Sequence, residues 1–300
     1  MVIRNPASRH TLGDARLEQT LQIARDAGWR VECRATEHEG HATAIAREAA
    51  ASGADVILVA GGDGTINEAI NGFAGSKNDI ALAVLPGGTA NVWAKETHVP
   101  RDPLAAMRAI VHGERRRVDL GRAGYRYFLL MAGIGLDARI IPGVSAGMKR
   151  RFGATAYLLK GVRVALKIKA PIATWRVDGA EHNGSMYWML IGNTRSYGGL
   201  IDIMHRAEAD DGLFDTAVMH RGGAWHLLAD GARLLLKQHD RSPNIDFARA
   251  RSIEIDTPGL PVQLDGEYAG TSPMRFEIVP RALTVIVPPG LRTPLLRNEA

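Results

Sequence analysis

Two textures in one chain predict an α/β first domain with a mainly parallel sheet, followed by a mainly antiparallel β-sandwich domain. Three observations carry this expectation. Residues 1–117 alternate helical and strand patterns without a long linker, as layered α/β sheets do. After Arg117 the chain turns to short β-like runs separated by Gly, Asp, Asn and Pro. At 300 residues, 46% of them hydrophobic, it is long enough to bury two cores. The expected boundaries are 1–117, joined by the irregular tail 288–300, and 118–287.

Met1-Val2-Ile3 is a short opening strand that runs into a turn at Asn5. A helix over Leu12–Ala27 puts Leu17, Leu21 and Ala24 on one face, and Gly28 stops it. A strand at Trp29–Ala35 and a helix from His41 to Ser52 follow. Val56–Ala60 is apolar and rich in β-branched residues, which suits a parallel strand covered on both faces. A helix over Ile66–Gly72, a strand over Ile80–Leu85 and a helix over Pro103–His112 complete the first domain. In the second, strands are expected at Val118–Leu120, Arg126–Met131, Ala173–Val177, Met186–Ile191, Asp215–Met219, Ser252–Asp256, Val262–Leu264, Met274–Val279 and Leu283–Val287. Helical patterns at Ala154–Lys169 and Gly223–Lys237 interrupt them.

The single cysteine, Cys33, excludes an internal disulfide and a cysteine-rich metal site. With no signal-peptide pattern at Met1-Val2-Ile3-Arg4-Asn5, a cytoplasmic protein is expected. No apolar run approaches the ~20 residues of a spanning helix. The net charge of +5 is concentrated at Arg115-Arg116-Arg117 and Lys149-Arg150-Arg151. Neither cluster interleaves aromatics and no reader motif is present, so nucleic acid is not an expected partner. Solvated surface is the simpler reading of these clusters and an anionic membrane surface the functional one; the basic and apolar Ala154–Lys169 segment is more simply an ordinary core-packed helix and otherwise the membrane contact.

Two glycine turns carry the chemistry. Val56–Ala60 runs into Gly61-Gly62-Asp63-Gly64-Thr65, and Ile80–Leu85 runs into Pro86-Gly87-Gly88-Thr89-Ala90-Asn91. Glycines let a ligand approach main-chain N–H groups, and the helix that follows points its positive end at the same place. Asp63 inside such a seat repels phosphate unless a cation lies between them. Either turn alone is also what a tight strand-to-helix connection looks like. Two of them on neighbouring parallel strands face one crevice, because ligands sit beyond the carboxyl ends of such strands. A third motif, Val262-Gln263-Leu264-Asp265-Gly266-Glu267-Tyr268, reads as a hairpin turn that presents Glu267.

These residues resemble the diacylglycerol kinase catalytic family, in its bacterial lipid-kinase branch, related to sphingosine and ceramide kinases and more distantly to NAD kinases. Asn5-Pro6-Ala7-Ser8, Thr36 with Gly40-His41-Ala42, Gly61–Thr65 and Pro86–Asn91 match in order. So do Val118-Asp119-Leu120-Gly121, Gly133–Asp137, Gly192-Asn193, Asp210-Asp211-Gly212-Leu213 and Asp265-Gly266-Glu267. The resemblance implies ATP as co-substrate with Mg2+, and transfer of the γ-phosphoryl to a lipid hydroxyl, most simply that of diacylglycerol. It implies Glu267 as general base, with Asp63 and Asp119 on the magnesium side, directly or through water. It implies a nucleotide site of Asn5, Pro6, Ala7, Ser8, Arg9, Thr36, Ala60, Gly61, Gly62, Asp63, Gly64, Thr65, Gly88, Thr89 and Asn91. A second, structural metal is implied at Asp211 with main-chain oxygens of Glu208 and Leu213.

Arg9-His10 stands where the family usually has glycine, and the opening strand is short for the family. Two other readings stay open: an NAD kinase-like small-molecule kinase, and a non-catalytic nucleotide- or lipid-binding homologue. The implied partners are a lipid substrate and a transient membrane contact at the inner face, with a homodimer left open.

Overall fold

The computed structural model describes residues 1–76, 78–135, 170–236 and 238–297. The expected helix at Ala154–Lys169 and the Lys149-Arg150-Arg151 cluster lie outside the described residues.

Strands β1 (Val2–Arg4), β2 (Cys33–Ala35), β3 (Val56–Gly61) and β4 (Ala81–Pro86) are parallel, in the order β2-β1-β3-β4. The second strand is shorter than expected because β1 offers it only three residues to pair with, Val2 to Arg4. Helices α1 (Asp14–Asp26), α2 (His41–Ala51), α3 (Asp63–Phe73), α4 (Val92–Glu96) and α5 (Pro103–Val111) cover this sheet. Right-handed crossovers put α1 on one face and α2 with α3 on the other. Accordingly α1 packs on α5, and α2 packs on α3. The strand order reverses between β1 and β3, so their carboxyl ends flank a topological switch point.

The next strands are β5 (Glu114–Ala123), β6 (Arg126–Phe128), β7 (Met131–Gly135), β8 (Ile172–Val177), β9 (Ala180–Ser185) and β10 (Trp188–Gly192). Short β11 (Ser196–Tyr197) pairs with β12 (Ile201–Asp202), and β13 (Phe214–Met219) follows. Helix α6 (Ala224–Leu235) precedes β14 (Ile245–Ala250), β15 (Ser252–Ile255), β16 (Pro261–Leu264), β17 (Glu267–Thr271) and β18 (Met274–Val287). A six-stranded antiparallel sheet, β14-β13-β10-β7-β16-β17, stacks on the strands around β18, β15, β8 and β9. Phe128, Ile134, Met189, Phe214 and Phe276 fill the space between. This is the expected sandwich.

The two halves share a strand. β18 is one bent ribbon where two strands were expected; its register slips between Val279 and Leu283. Before the bend it belongs to the sandwich; after it, Thr284 and Val285 pair in parallel with Ala81 and Leu82 of β4. β5 follows β18 throughout, so residue 117 falls inside a strand. In the tail, Leu295 and Leu296 are buried in the first core with Leu130 and Ala209.

Candidate active site

Helix α3 begins three residues earlier than the sequence pattern suggested. Asp63 is its first residue, Gly62 its N-cap, and no side chain caps it. The first-turn N–H groups of Gly64 and Thr65 are therefore the free donors of a helix N-terminus. The second glycine turn lies against the first. Gly87 N donates to Gly61 O at 2.8 Å, and a Cβ on Gly88 would sit 2.6 Å from Gly62 Cα. Neither turn has room for a side chain at that contact. Asn91 holds the second turn in shape, accepting from Gly88 N at 2.8 Å and donating to Gly88 O at 2.9 Å.

The opening turn closes the third side. Asn5 donates through Nδ2 to Thr65 Oγ1 at 2.8 Å, and accepts from Ala7 N at 2.9 Å. This bond crosses the switch point between β1 and β3. Pro6, Ala7 and Arg9 are exposed, Ser8 is half-buried, and Thr89 is exposed on the facing turn. Thr36 is buried at the end of β2, tied by its N–H to Arg4 O at 2.8 Å. Ala60 lies buried in β3 beneath the turn. A cavity of about 160 Å3 lies under this loop, lined by Arg4, His10, Leu85, Gly87 and Arg101 among others. It includes none of Asp63, Gly64 and Glu267.

Asp63 is mostly enclosed. Burial pushes its carboxyl pKa up, against main-chain N–H groups of Val92, Trp93 and its own residue. Its one hydrogen bond to α4 is long, 3.4 Å from Trp93 N, which leaves acceptor capacity for a cation. No three His, Cys, Asp or Glu side chains gather as a metal site among the described residues. A magnesium ion here would complete its shell with phosphate and water, as Mg2+ commonly does. The residues fit that arrangement.

Glu267 arrives from the other half of the fold. A Cβ on Gly64 would lie 3.0 Å from Glu267 Oε1, so the carboxylate rests on the first turn of α3. Its Oε2 accepts from Arg126 Nη2 at 3.2 Å. Burial pushes the Glu267 pKa up to about 7, and the Arg126 charge holds it from going further.

What fixes this meeting was not read from the sequence. Asp265, two residues before Glu267, accepts from the N–H groups of Leu129, Leu130 and Met131 at 2.8, 2.8 and 3.0 Å. Asn67 of α3 donates to the same carboxylate at 2.8 Å and to Tyr127 O at 3.1 Å. Asn71, one turn on, donates to Tyr127 O at 2.9 Å and accepts from Tyr127 N at 2.8 Å. One helix thus carries the anion seat at its first turn and, at i,i+4 spacing, the clamps that hold the hairpin. The available signal was two asparagines four residues apart in the helical run Ile66–Gly72.

Asp119 is placed elsewhere. It is fully buried in β5, and its two oxygens accept from Arg281 N at 2.7 Å and Gly212 N at 2.6 Å. Burial raises its pKa, and these two donors oppose the rise. Its hydrogen bonds therefore tie it to the Asp210–Leu213 turn, not to the Gly61–Thr65 turn with which it was expected.

That turn differs from a metal site in one respect. Asp211 is fully buried and already ion-paired with Arg249, with Arg297 Nη2 at 3.7 Å. Its Oδ1 accepts from Leu213 N at 2.9 Å, while the Glu208 side chain binds Arg297 Nε at 2.6 Å. The Asp211 Oδ2 is nevertheless buried with no hydrogen-bond partner, so the guanidinium contacts leave an acceptor there for a cation.

Comparisons with known proteins place the chain in a family. Residues 1–123 match the diacylglycerol kinase catalytic domain family, and residues 131–287 match the YegS C-terminal NAD kinase beta sandwich-like domain. A diacylglycerol kinase of Bacillus subtilis (strain 168) is 31% identical over 289 residues, covering 96% of this chain and 95% of the relative. One of Staphylococcus aureus (strain JH9) is 31% identical over 291 residues, covering 96% and 91%. The crystal structure of a diacylglycerol kinase from Bacillus anthracis str. Sterne aligns with a TM-score of 0.77 at 26% identity, covering 96% of each chain.

Proposed function

The chain belongs to the diacylglycerol kinase catalytic family, and from that premise we propose that it is an ATP-dependent lipid kinase acting on diacylglycerol or a related lipid alcohol. The observation that carries the reading is the contact between Glu267 and Gly64. It puts a carboxylate of pKa about 7 beside a helix N-terminus suited to phosphate.

The N–H groups of Gly64 and Thr65, with the Gly88-Thr89 turn, hold the phosphates of ATP. Asn5 to Arg9 and Thr36 line the nucleotide side. Asp63 would hold Mg2+, which when bound neutralises phosphate charge. Glu267 orients the lipid hydroxyl and takes its proton as the oxygen–phosphorus bond forms and the bond to the leaving ADP oxygen breaks. The transition state of such a transfer is loose, so holding the groups in line matters more than the strength of the base. Arg126 keeps Glu267 aimed. A second cation would be held at the 208–213 turn by the Asp211 carboxylate, whose Oδ2 has no hydrogen-bond partner, with main-chain oxygens of Glu208 and Leu213; Asp119 holds that turn through Gly212 N.

The substrate is a membrane lipid, so the protein works at a bilayer surface. No helix among the described residues is long and apolar enough to cross a membrane, which favours peripheral contact. The test offers labelled ATP and Mg2+ with diacylglycerol in mixed micelles, and separately with NAD. Label on the lipid is expected; label on NAD, or on neither, would overturn the reading.

A further inference from the structure

Helix α6 is built inside out. Trp225, Leu228, Leu235 and Leu236 are 78%, 69%, 83% and 67% exposed, and the one buried residue of the helix is an aspartate. At α-helical spacing Trp225, Leu228, Ala232, Leu235 and Leu236 fall within an arc of about 100°. The opposite side carries Asp230, which accepts from Ser242 Oγ at 2.6 Å, Asn244 Nδ2 at 2.8 Å and Arg233 Nη1 at 3.1 Å. Polar bonds thus tie the helix to the returning end of its own loop, Leu227 packs against the core cluster of Tyr187, Leu190 and Met204, and the face of Trp225 and Leu228 is left outward.

The position of the helix is equally unusual. It sits in the excursion 220–244 between β13 and β14, an antiparallel pair at the edge of the six-stranded sheet. Such a pair can close with a two-residue turn. The connection therefore carries an element that strand pairing does not require.

We propose that α6 is the element that docks this protein on an anionic membrane, lying in the plane of the interface with Trp225, Leu228, Leu235 and Leu236 at the headgroup–acyl boundary. The inference rests on the lipid-kinase reading, which requires the enzyme to reach a substrate that stays in a bilayer. Charge favours a bilayer over a second copy. Residues 221–241 hold Arg221, Arg233, Lys237 and Arg241 against Asp230 and Asp240. Asp230 is buried in its own network, and Asp240 lies 3.7 Å from Arg206. With Arg233 taken up by Asp230, the exposed Arg221 and Arg241 leave the loop's outer surface net positive, which attracts anionic lipid and repels an identical copy. Area points the same way. A twelve-residue helix is about 18 Å long, and one such face falls well short of the roughly 800 Å2 per partner of a stable dimer. An indole beside aliphatic side chains is also the usual composition of an interfacial anchor.

The test compares the full chain with a variant carrying Trp225→Ser, Leu228→Ser, Leu235→Ser and Leu236→Ser. All four side chains are exposed, so the folded body keeps its contacts. Sedimentation with phosphatidylglycerol vesicles containing diacylglycerol should show binding reduced at least about tenfold. Phosphorylation of diacylglycerol in those vesicles should fall in parallel. Phosphorylation of a short-chain, water-dispersed diacylglycerol should stay within about twofold, since the site is untouched. Vesicle binding equal to the wild type would overturn the proposal, as would a dimeric wild type that the variant converts to monomer without loss of vesicle binding. If the wild type phosphorylates neither lipid, the kinase reading fails, while a binding defect in the variant still supports docking through α6.

Discussion

Replacing Glu267 by glutamine removes the proposed base while keeping its size, and it should move activity and stability in opposite directions. Loss of a general base lowers kcat by about 10²–10⁴-fold, with ATP affinity held because Gly64 and Thr65 bind phosphate through their main chain. The stability effect follows from the raised pKa. Burial lifts the group from 4.5 to about 7 in the folded protein. The folded state therefore holds the proton more tightly than the unfolded state, and stability is lost as pH rises between those values. A shift of that size has a ceiling of about 3 kcal/mol. The side chain is 33% exposed, so solvent screening reduces it to about 1–2 kcal/mol. Glu267→Gln should thus be more stable than wild type by that amount at pH 8, and equally stable near pH 4. The wild-type kcat/KM should rise about tenfold from pH 6 to pH 8 as the carboxylate ionises, and this rise should vanish in the variant. Urea unfolding at the two pH values and a pH–rate profile in mixed micelles measure both effects. A variant within about threefold of wild-type kcat would refute the assigned role.

Other substitutions test the supports. Arg126→Ala removes the charge that holds the Glu267 pKa down, so the ionisation in the pH–rate profile should move to higher pH. Gly88→Ala brings a Cβ within 2.6 Å of Gly62 Cα, so the two turns must part; the KM for ATP should rise, with about 1–3 kcal/mol lost in urea unfolding. Asp265→Ala strands the N–H groups of Leu129, Leu130 and Met131 and should cost about 3–5 kcal/mol in thermal unfolding, with kcat falling as Glu267 loses its position. Arg249→Ala leaves the buried Asp211 side chain with its other guanidinium no closer than 3.7 Å and should cost about 3 kcal/mol in urea unfolding.

The parts of this fold that local pattern determines were legible. Val56–Ala60 and Ile80–Leu85 are apolar because β3 and β4 are covered on both faces, and the glycine turns at their ends follow from that placement. The strand β9, Ala-Glu-His-Asn-Gly-Ser, was missed because it is a sheet edge with mostly solvent-facing residues and no apolar alternation. The early start of α3 was missed because Gly-Asp-Gly is a poor helix former. In the site, Glu267 and the glycine turns were visible as motifs. Asp265 was visible in the hairpin motif but its role as a clamp was not, and neither was that of Asn67, because their bond joins residues 198 apart in the chain. Asp119 was assigned by motif alone, and its two main-chain donors come from segments far along the sequence.

The strand made last completes the sheet begun first. Thr284 and Val285 cover the β4 side of the parallel sheet, and no earlier segment takes that place. While the chain is still emerging from the ribosome, its phosphate-binding half exposes a bare, hydrophobic β-edge, the kind that invites pairing with a neighbouring polypeptide. A protein stopped short of residue 284 should therefore aggregate instead of surviving as a small ATP-binding fragment.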